Sequence, residues 1–298
     1  MRIVVALGGN ALSKRGETLT AAGQRKSIRT AARSLARLLE AGHEVVITHG
    51  NGPQVGYLAL QGGLFPLDVL GAETDGMIGY VLQQELDNAY APDAKYATLL
   101  TQIEVDPNDP AFQAPTKFIG PIYSEQDAAK LSAERGWTIG QDGAHFRRTV
   151  PSPRPKRILE LDVIELLLAQ NVIVICAGGG GIPVVQKADG TMIGVEAVID
   201  KDHASGLLAR ALKADAFLML TDVEGVFQDW GTADQKVIRH ATPDALSHTD
   251  FPAGSMGPKV DAACDFARAG GGFAAIGRLD DCCALVAGTT GTRISLTE

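Results

Sequence analysis

Apolar runs with the length of buried strands alternate along the chain with segments whose apolar residues recur every three to four positions. The first run, Ile3–Leu7, precedes a segment that stops at Gly42 and places on one helical face Ile28, Ala31, Leu35, Leu38 and Leu39. Further strands are predicted at Glu44–Thr48, Tyr96–Gln102, Val172–Ala177, Ala216–Leu220 and Gly272–Ile276, and further helices at Gly76–Tyr90, 160–170, Asp202–Leu212 and Ser255–Ala269. This alternation predicts an α/β fold, a three-layer αβα sandwich with a mostly parallel central sheet.

The alternation is interrupted between about residues 108 and 155, where the chain is rich in proline, glycine and charge. The segment still has apolar side chains to bury, namely Phe112, Phe118, Ile122, Tyr123 and Trp137. We therefore interpret it as a small subdomain inserted as a lid into a single domain spanning residues 1–298. The remainder is expected to form an N-terminal lobe up to about residue 170 and a C-terminal lobe from about residue 171.

Composition fits a packed α/β protein, with 45% apolar and 21% charged residues among 298. The net charge of −8 argues against nucleic acid or an anionic membrane as the main partner, because both attract positive surfaces. We find no run of roughly 18 apolar residues and no export signal at the N-terminus, so a cytoplasmic protein is expected. The four cysteines show no metal-ligand spacing, and we interpret the adjacent pair Cys282 and Cys283 as two small buried side chains, with redox activity as the less favoured alternative.

Glycine-rich turns follow three of the predicted strands. They are Gly8-Gly9-Asn10, Gly50-Asn51-Gly52 and Gly178-Gly179-Gly180-Gly181. Glycine lets backbone N–H groups approach an anion closely, and a helix that starts at such a turn adds its positive end. One turn of this kind is common between a strand and a helix, but three at equivalent strand ends indicate one shared polyanion site.

The P-loop pattern G-x-x-x-x-G-K-[ST] does not occur, so cations for phosphoryl transfer must come from elsewhere in the chain. Three lysines have unusual surroundings. Lys117 lies in a Pro-Thr-Lys-Phe-Ile-Gly segment, Lys201 stands between two aspartates after an apolar run, and Lys259 lies near the start of a predicted helix. Taken singly, each would be interpreted as an ordinary solvated lysine.

The motifs around these residues change that interpretation. HGNGPQVG at 49–56, PTKFIGP at 115–121 and AVIDKD at 197–202 together make the sequence resemble the carbamate kinases, within the amino acid kinase superfamily. The similarity runs essentially from end to end. It implies the amino acid kinase fold, reversible transfer of a phosphoryl group from ATP to carbamate formed from ammonia and bicarbonate, and use in the cell to make ATP from carbamoyl phosphate.

The resemblance also implies roles for individual residues. Lys117, Lys201, Asp202 and Lys259 would form the catalytic set, with Lys117 reaching down from the lid and Asp202 orienting the lysines. Substrate and phosphates would be bound by Gly8, Gly9, Asn10, Gly50, Asn51, Gly52, Gly178, Gly179, Gly180 and Gly181. The nucleotide would contact Thr221, Asp222, Val226, Phe227, Met256 and Lys259.

The same resemblance implies partners and cofactors. The N-terminal lobe would hold the acceptor and phosphate side, and the C-terminal lobe the nucleotide. Mg²⁺ would accompany ATP or ADP and be held mainly by phosphates and water, without a metal site built from protein ligands. The family further implies a homodimer and a place in arginine metabolism.

The chain departs from the family pattern in three segments. Thr221–Phe227 has the form general to amino acid kinases, and Gln141–Arg148 lacks one arginine of the usual stretch. Asp75 stands where relatives commonly have an amide, and a carboxylate facing the acceptor pocket would repel anionic carbamate. These features leave open a different small-acid kinase on the same fold, and a non-catalytic nucleotide-binding regulator is the third hypothesis.

A run of five basic residues also has two interpretations. Arg147, Arg148, Arg154, Lys156 and Arg157 have no acidic residue among them. They form either a solvated or interface face, or a positively charged rim that draws in anionic substrates.

Overall fold

The structure is a computed structural model that describes residues 1–12, 20–61, 65–249, 251, 255–270 and 272–297, without the side chains of Asn10 and Ala11. The strands are β1 (Arg2–Leu7), β2 (Glu44–His49), β3 (Lys95–Thr98), β4 (Gln102–Val105), β5 (Lys117–Tyr123), β6 (Ile139–Asp142), β7 (His145–Val150), β8 (Pro155–Ile158), β9 (Val172–Ile175), β10 (Ile182–Gln186), β11 (Met192–Gly194), β12 (Ala216–Thr221), β13 (Phe227–Gln228), β14 (Lys236–Val237), β15 (His240–Ala241), β16 (Phe273–Arg278) and β17 (Thr292–Ile294). The helices are α1 (Gly9–Leu12), α2 (Ala21–Glu40), α3 (Gly52–Leu60), α4 (Leu67–Ala89), α5 (Glu125–Arg135), α6 (Leu161–Leu168), α7 (Lys201–Ala211), α8 (Pro243–Leu246), α9 (Met256–Arg268) and α10 (Cys282–Val286).

The central sheet has the strand order β15-β17-β16-β12-β1-β2-β9-β3. Its pairs are parallel except for β16 with β17, as the alternation of strands and helices predicts. Because the sheet is covered on both faces, its inner strands are mostly apolar, and β12 is buried at every position. The predicted α/β class is confirmed.

Strand β1 divides its side chains between two hydrophobic cores. Val4 and Ala6 face one core, to which α6, α7 and α9 contribute. Ile3, Val5 and Leu7 face the other, to which α2, α4 and α10 contribute. Successive side chains of a strand point to opposite faces, so this alternation defines the three layers.

The predicted strand Tyr96–Gln102 is wrong in its extent, because the chain turns between two sheets within it. β3 ends at Thr98, and β4 begins at Gln102 in a second sheet of order β11-β10-β4-β8. Thr101 holds the turn between them, since its hydroxyl accepts a hydrogen bond from Ala177 N at 2.9 Å and its carbonyl accepts one from Ile182 N at 2.8 Å. Nothing in the run of apolar and polar residues marks this change of sheet.

Two further predictions need correction. Helix α4 begins at Leu67 rather than Gly76, because Leu67, Leu70 and Thr74 extend its buried face towards the N-terminus. Of the paired cysteines, Cys282 is buried in the second core as expected, but Cys283 is exposed.

The segment between β4 and β8 forms a third sheet outside the central one. Strands β5, β7 and β6 pair antiparallel in that order, and α5 packs against them. This sheet contacts the main body through α3, where Gly56 meets Gly120 so closely that a Cβ on Gly56 would lie 1.9 Å from Gly120 Cα. Within the described residues, no helix combines the length and the apolar character needed to cross a membrane.

Candidate functional site

The glycine turns lie at one edge of the central sheet. β9, β2, β1 and β12 are parallel neighbours in that order, so the segments after their carboxyl ends lie side by side. The turns are tied to the strands beside them: Gly8 N donates to Leu220 O at 2.8 Å, and Gly50 N donates to Leu7 O at 3.1 Å. A Cβ on Gly8 would lie 2.9 Å from Leu220 O, so the close approach of the chain after β1 to β12 requires glycine there.

Two clefts open at this edge and meet. The first has a volume of about 420 Å³ and the second about 570 Å³, both in the range of small-molecule sites. The residues that line both clefts are Gly9, Lys117, Asp200, Lys201, Ser255 and Pro258. The junction therefore carries two lysines beside a glycine turn, and a group held there is accessible from both sides.

The first cleft is polar at the junction and apolar at its outer end. Beyond the junction, the outer wall includes Phe227, Trp230, Phe251 and Met256. The rings of Phe227 and Trp230 lie 5.0 Å apart at their centroids, and Trp230 is 59% exposed. An exposed aromatic surface with lysines at the opposite end of the cleft suits a molecule with a flat ring at one end and anionic groups at the other.

The second cleft is built largely from backbone and small side chains. The turn Gly50–Gly52 and Gly179 form one side, and residues of the third sheet, including Phe118 and Arg147, form the other. The Asn51 side chain is fixed by a hydrogen bond from its Nδ2 to Thr74 Oγ1 at 2.8 Å. A small polar acceptor would fit beside these turns.

Three lysines are held by the start of helix α7. Lys201 Nζ donates to Asp202 Oδ1, and Lys259 Nζ donates to Asp202 Oδ2 at 2.9 Å. Lys117, the first residue of β5, donates to Asp200 Oδ2. The three ammonium groups thus come from three elements, and the carboxylates that hold them are two residues apart.

Burial and charge act against each other in this cluster. Burial on its own would raise the pKa of Asp202, but the charges of Lys201 and Lys259 outweigh it and hold that pKa below its usual value. Burial lowers the pKa of Lys201, and the nearby charge of Lys259 adds to the effect, against the pull of Asp202. Burial also acts to lower the pKa of Lys259, yet Asp202 prevails and raises it.

Asp200 was not singled out from the sequence. Its Oδ1 caps α7 by accepting hydrogen bonds from Asp202 N at 2.9 Å and His203 N at 3.4 Å, while Oδ2 accepts from Lys117. Burial works to raise the pKa of Asp200, but the charge of Lys117 leads the effects that lower it far below the usual range. The sequence placed it in the AVIDKD motif, two residues before the predicted helix Asp202–Leu212, a position also typical of ordinary caps.

Some predicted site residues do not line either cleft. Three glycines of the third turn pack inward. A Cβ on Gly178 would lie 1.9 Å from Asp75 Oδ1, and one on Gly180 would lie 2.3 Å from Ile199 O. A Cβ on Gly181 would lie 2.6 Å from Ile103 Cδ1. Val226 is fully buried in the first core. The Asn10 side chain is outside the described part of the chain. The other predicted residues line at least one cleft, as follows: Gly8, Gly9, Gly50, Asn51, Gly52, Lys117, Gly179, Lys201, Asp202, Thr221, Asp222, Phe227, Met256 and Lys259.

Asp75 faces neither cleft. Its side chain is fully buried beneath Gly178, and Oδ1 lies 3.4 Å from His49 Nε2, whose ring is also fully buried. Neither carboxylate oxygen borders a cleft. The expected repulsion of an anionic acceptor is therefore absent, and with it the main reason to favour a different small-acid kinase.

The five basic residues divide between the two interpretations. Arg147 and Arg154 line the second cleft. Lys156 and Arg157 instead pair on the surface with Asp106 at 2.7 Å and Glu104 at 2.8 Å. Arg148 lies over the Trp137 ring. A charged rim is thus formed by only part of the run.

Comparison with known proteins finds similarity over almost the whole chain. The amino acid kinase family matches residues 1–276. A carbamate kinase of Rhizobium meliloti (strain 1021) is 54% identical, and the match covers 99% of this chain and 93% of that protein. A carbamate kinase of Haemophilus influenzae (strain ATCC 51907 / DSM 11121 / KW20 / Rd) is also 54% identical, and the match covers 99% of this chain and 97% of that protein. The solved carbamate kinase from Giardia lamblia bound to AMP-PNP superposes with a TM-score of 0.88 at 39% identity, covering 99% of this chain and 98% of that one.

Proposed function

Because the chain belongs to the amino acid kinase family and its near full-length relatives are carbamate kinases, we propose that it catalyses the reaction ATP + carbamate = ADP + carbamoyl phosphate. The observation that carries this proposal is the junction of two clefts at Lys117 and Lys201. One cleft can hold a phosphoryl donor and the other an acceptor, with the transferring group between them. The cellular direction that we propose is towards ATP, within arginine metabolism.

The first cleft is the proposed nucleotide site. Its aromatic wall of Phe227 and Trp230 would pack against the base, and Gly8, Gly9 and Lys259 would bind the phosphates. The Giardia lamblia relative was solved with AMP-PNP, an adenine nucleotide analogue, which supports the same choice for this chain.

The second cleft is the proposed acceptor site. Carbamate would lie against Gly50, Asn51 and Gly52, with one oxygen directed at the junction. In the forward direction this oxygen attacks the terminal phosphorus of ATP, the bond from phosphorus to the bridging oxygen breaks, and ADP leaves with the electron pair. Carbamate already carries a negative oxygen, so the step needs no general base.

The lysines would stabilise the charge that shifts during transfer. Lys117, Lys201 and Lys259 present ammonium groups around the junction, where the oxygens of a loose phosphoryl transition state would lie. Asp202 would orient Lys201 and Lys259 without touching the phosphate, since each of its oxygens already accepts from one lysine.

Charge balance argues for a divalent ion that arrives with the nucleotide. Three lysines line the first cleft (Lys117, Lys201, Lys259), and so do three aspartates (Asp200, Asp202, Asp222), so the protein offers no net positive charge to a polyphosphate. Among the described residues, no three His, Cys, Asp or Glu side chains are grouped to hold a metal. Mg²⁺ bound mainly to phosphates and water fits this donor set, and it would supply the missing positive charge.

We further propose that the third sheet is a lid, in a single domain whose N-terminal lobe holds the acceptor and whose C-terminal lobe holds the nucleotide. The second cleft is larger than the first, although its proposed ligand is much smaller, which is expected if the lid closes over the acceptor. Hydrogen exchange with and without both substrates tests this: protection of 117–150 on binding is expected, and unchanged exchange would contradict it.

A homodimer and a cytoplasmic location complete the proposal. Exposed Tyr57, Met77 and Tyr80 on the neighbouring helices α3 and α4 are candidates for a subunit interface. Light scattering that gives a monomer at micromolar concentration would contradict the dimer. The four cysteines are all thiols, which suits a reducing compartment, and cell fractionation tests the location.

The test of the proposed activity is ATP formation from carbamoyl phosphate and ADP with Mg²⁺, followed by a coupled assay. We expect formation of ATP that depends on both substrates. A folded protein that binds ADP but makes no ATP above the uncatalysed background would overturn the proposal.

A further inference from the structure

Asp200 lies where the two clefts meet, and it contacts both the helix that starts there and the third sheet. Its side chain is 10% exposed, against 32% for the Lys117 side chain that it holds. One oxygen is fixed by two backbone N–H groups of α7. The other oxygen is therefore a hydrogen-bond acceptor of defined position. The positive end of the helix stabilises the negative charge of the carboxylate.

Lys117 needs such a partner more than the other two lysines. Lys201 and Lys259 belong to helices of the main body, and their side chains are 11% and 13% exposed. Lys117 starts β5 in the third sheet, and its long side chain is the most exposed of the three. A lysine of this kind has many rotamers, and only some of them bring the ammonium group to the junction.

The backbone near Asp200 is joined to the same sheet at a second point. Val198 N donates to Pro151 O at 2.9 Å, directly after β7 ends at Val150. Val150 is the partner of Lys117 in the β5–β7 ladder. Two neighbouring contacts therefore connect the base of the third sheet with the segment that leads into α7: one between backbones, and one between Lys117 and Asp200.

We propose that Asp200 is a positioning residue for phosphoryl transfer, which holds the Lys117 ammonium group at the junction of the clefts. The inference rests on the function proposed above. An ammonium group has three N–H donors, so one can bind Asp200 while two remain for phosphoryl oxygens. Asp200 thereby does for Lys117 what Asp202 does for Lys201 and Lys259, and the cap and first turn of one helix fix all three cations.

The variant Asp200→Asn separates this role from helix capping. The amide oxygen still caps α7, but the negative partner of Lys117 is lost. We expect kcat for ATP formation to fall by about 10-fold to 100-fold, as for a misplaced catalytic group, with little change in KM for ADP. Asp200→Ser, which also caps helices, should behave similarly and provides a second variant if the first folds poorly.

A double-mutant cycle shows whether Asp200 acts through Lys117. In a Lys117→Met background, Asp200→Asn should cause no further loss of kcat, because the group that it positions is gone. The matched control is Asp189→Asn, which changes an exposed aspartate whose Oδ1 also accepts a backbone N–H, that of Thr191 at 2.9 Å. It should leave kcat at the wild-type value.

Hydrogen exchange provides a readout that does not depend on activity. Asp200→Asn and Lys117→Met should each speed amide exchange in residues 117–123 to the same extent, and the double variant no further. Wild-type kcat in Asp200→Asn, or losses that add in the double variant, would overturn the role of Asp200. Absence of ATP formation in the wild type would instead contradict the proposed function. In that case, equal amide exchange in the wild type and in Asp200→Asn would also show that Asp200 does not hold Lys117.

Discussion

Lys201 and Lys259 donate to opposite oxygens of one carboxylate, that of Asp202. The aspartate is 3% exposed, so its two ion pairs are screened little by solvent. Each lysine is consequently fixed in direction, and both line the first cleft. The arrangement explains how a site without a P-loop can supply two oriented cations.

Loss of either lysine should reduce turnover while the fold survives. We expect Lys201→Ala and Lys259→Ala each to lower kcat about 100-fold or more, because removing one preorganised group that stabilises transition-state charge costs roughly 3 kcal/mol. The coupled assay measures kcat, and circular dichroism monitors the fold. Lys130→Ala on the exposed face of α5 is the control. A wild-type rate in either site variant would contradict the assigned roles.

The rate should show an alkaline limb that belongs to Lys201. Burial lowers the pKa of Lys201, whereas that of Lys259 is raised, so Lys201 is the first of the two to lose its proton as pH rises. We expect kcat to decrease as the pH rises, and this decrease should begin at a lower pH than the one at which an ordinary lysine loses its proton. Lys201→Arg should retain some activity and lose this limb, because arginine stays charged. An unchanged limb in that variant would assign it to another group.

The contact between Gly56 and Gly120 should not tolerate a side chain. A Cβ on Gly56 would meet backbone atoms of Gly120, which cannot rotate away, so α3 and β5 must separate. We expect Gly56→Ala to lower the free energy of unfolding by about 2 kcal/mol and also to lower kcat, since β5 carries Lys117. Chemical denaturation and the coupled assay measure the two effects.

The matched control for this change is Gly71→Ala. Gly71 lies within α4, and a Cβ there would meet nothing within 4 Å. Alanine in a helix interior should raise stability by about 0.5–1 kcal/mol and leave kcat unchanged. Equal stability of Gly56→Ala and the wild type would show that the two backbones can separate without cost.

The pair of Asp75 and His49 should support the fold and not the choice of acceptor. Both side chains are fully buried with Oδ1 and Nε2 3.4 Å apart, so a change of Asp75 alters the polar surroundings of the His49 ring. We expect Asp75→Asn to lower the free energy of unfolding by about 1–3 kcal/mol and to leave KM for carbamoyl phosphate unchanged. Asp87→Asn, at an exposed position of the same helix, is the control. A marked fall in KM would mean that the Asp75 charge reaches the acceptor.

The pattern of the sequence was sufficient for the layers and for the edge where the site lies. Strands such as β1 and β12 are apolar runs, and the turns after β1, β2 and β9 are marked by glycine. The break between β3 and β4 escaped prediction, because its turn depends on contacts of Thr101 with Ala177 and Ile182, which are distant in the sequence. Local periodicity carries no information on such contacts.

The chemistry of the site was predicted less completely than the fold. Lys117, Lys201 and Lys259 could be named from their motifs, but their pairing with two aspartates depends on how β5, α7 and α9 meet. Asp200 lies in the AVIDKD motif, but an aspartate shortly before a helix is also typical of an ordinary helix cap. Asp75 was interpreted from its position in a motif, whereas its actual neighbours are His49 of β2 and Gly178 of the turn after β9.

The division of β1 between two cores has a consequence for heat inactivation. Ile3, Val5 and Leu7 anchor one face of the strand while Val4 and Ala6 anchor the other, so neither core can melt without releasing the strand that leads to Gly8 and Gly9. The loss of catalysis on heating should therefore coincide with one cooperative transition of the whole chain, without a partly melted form that remains active.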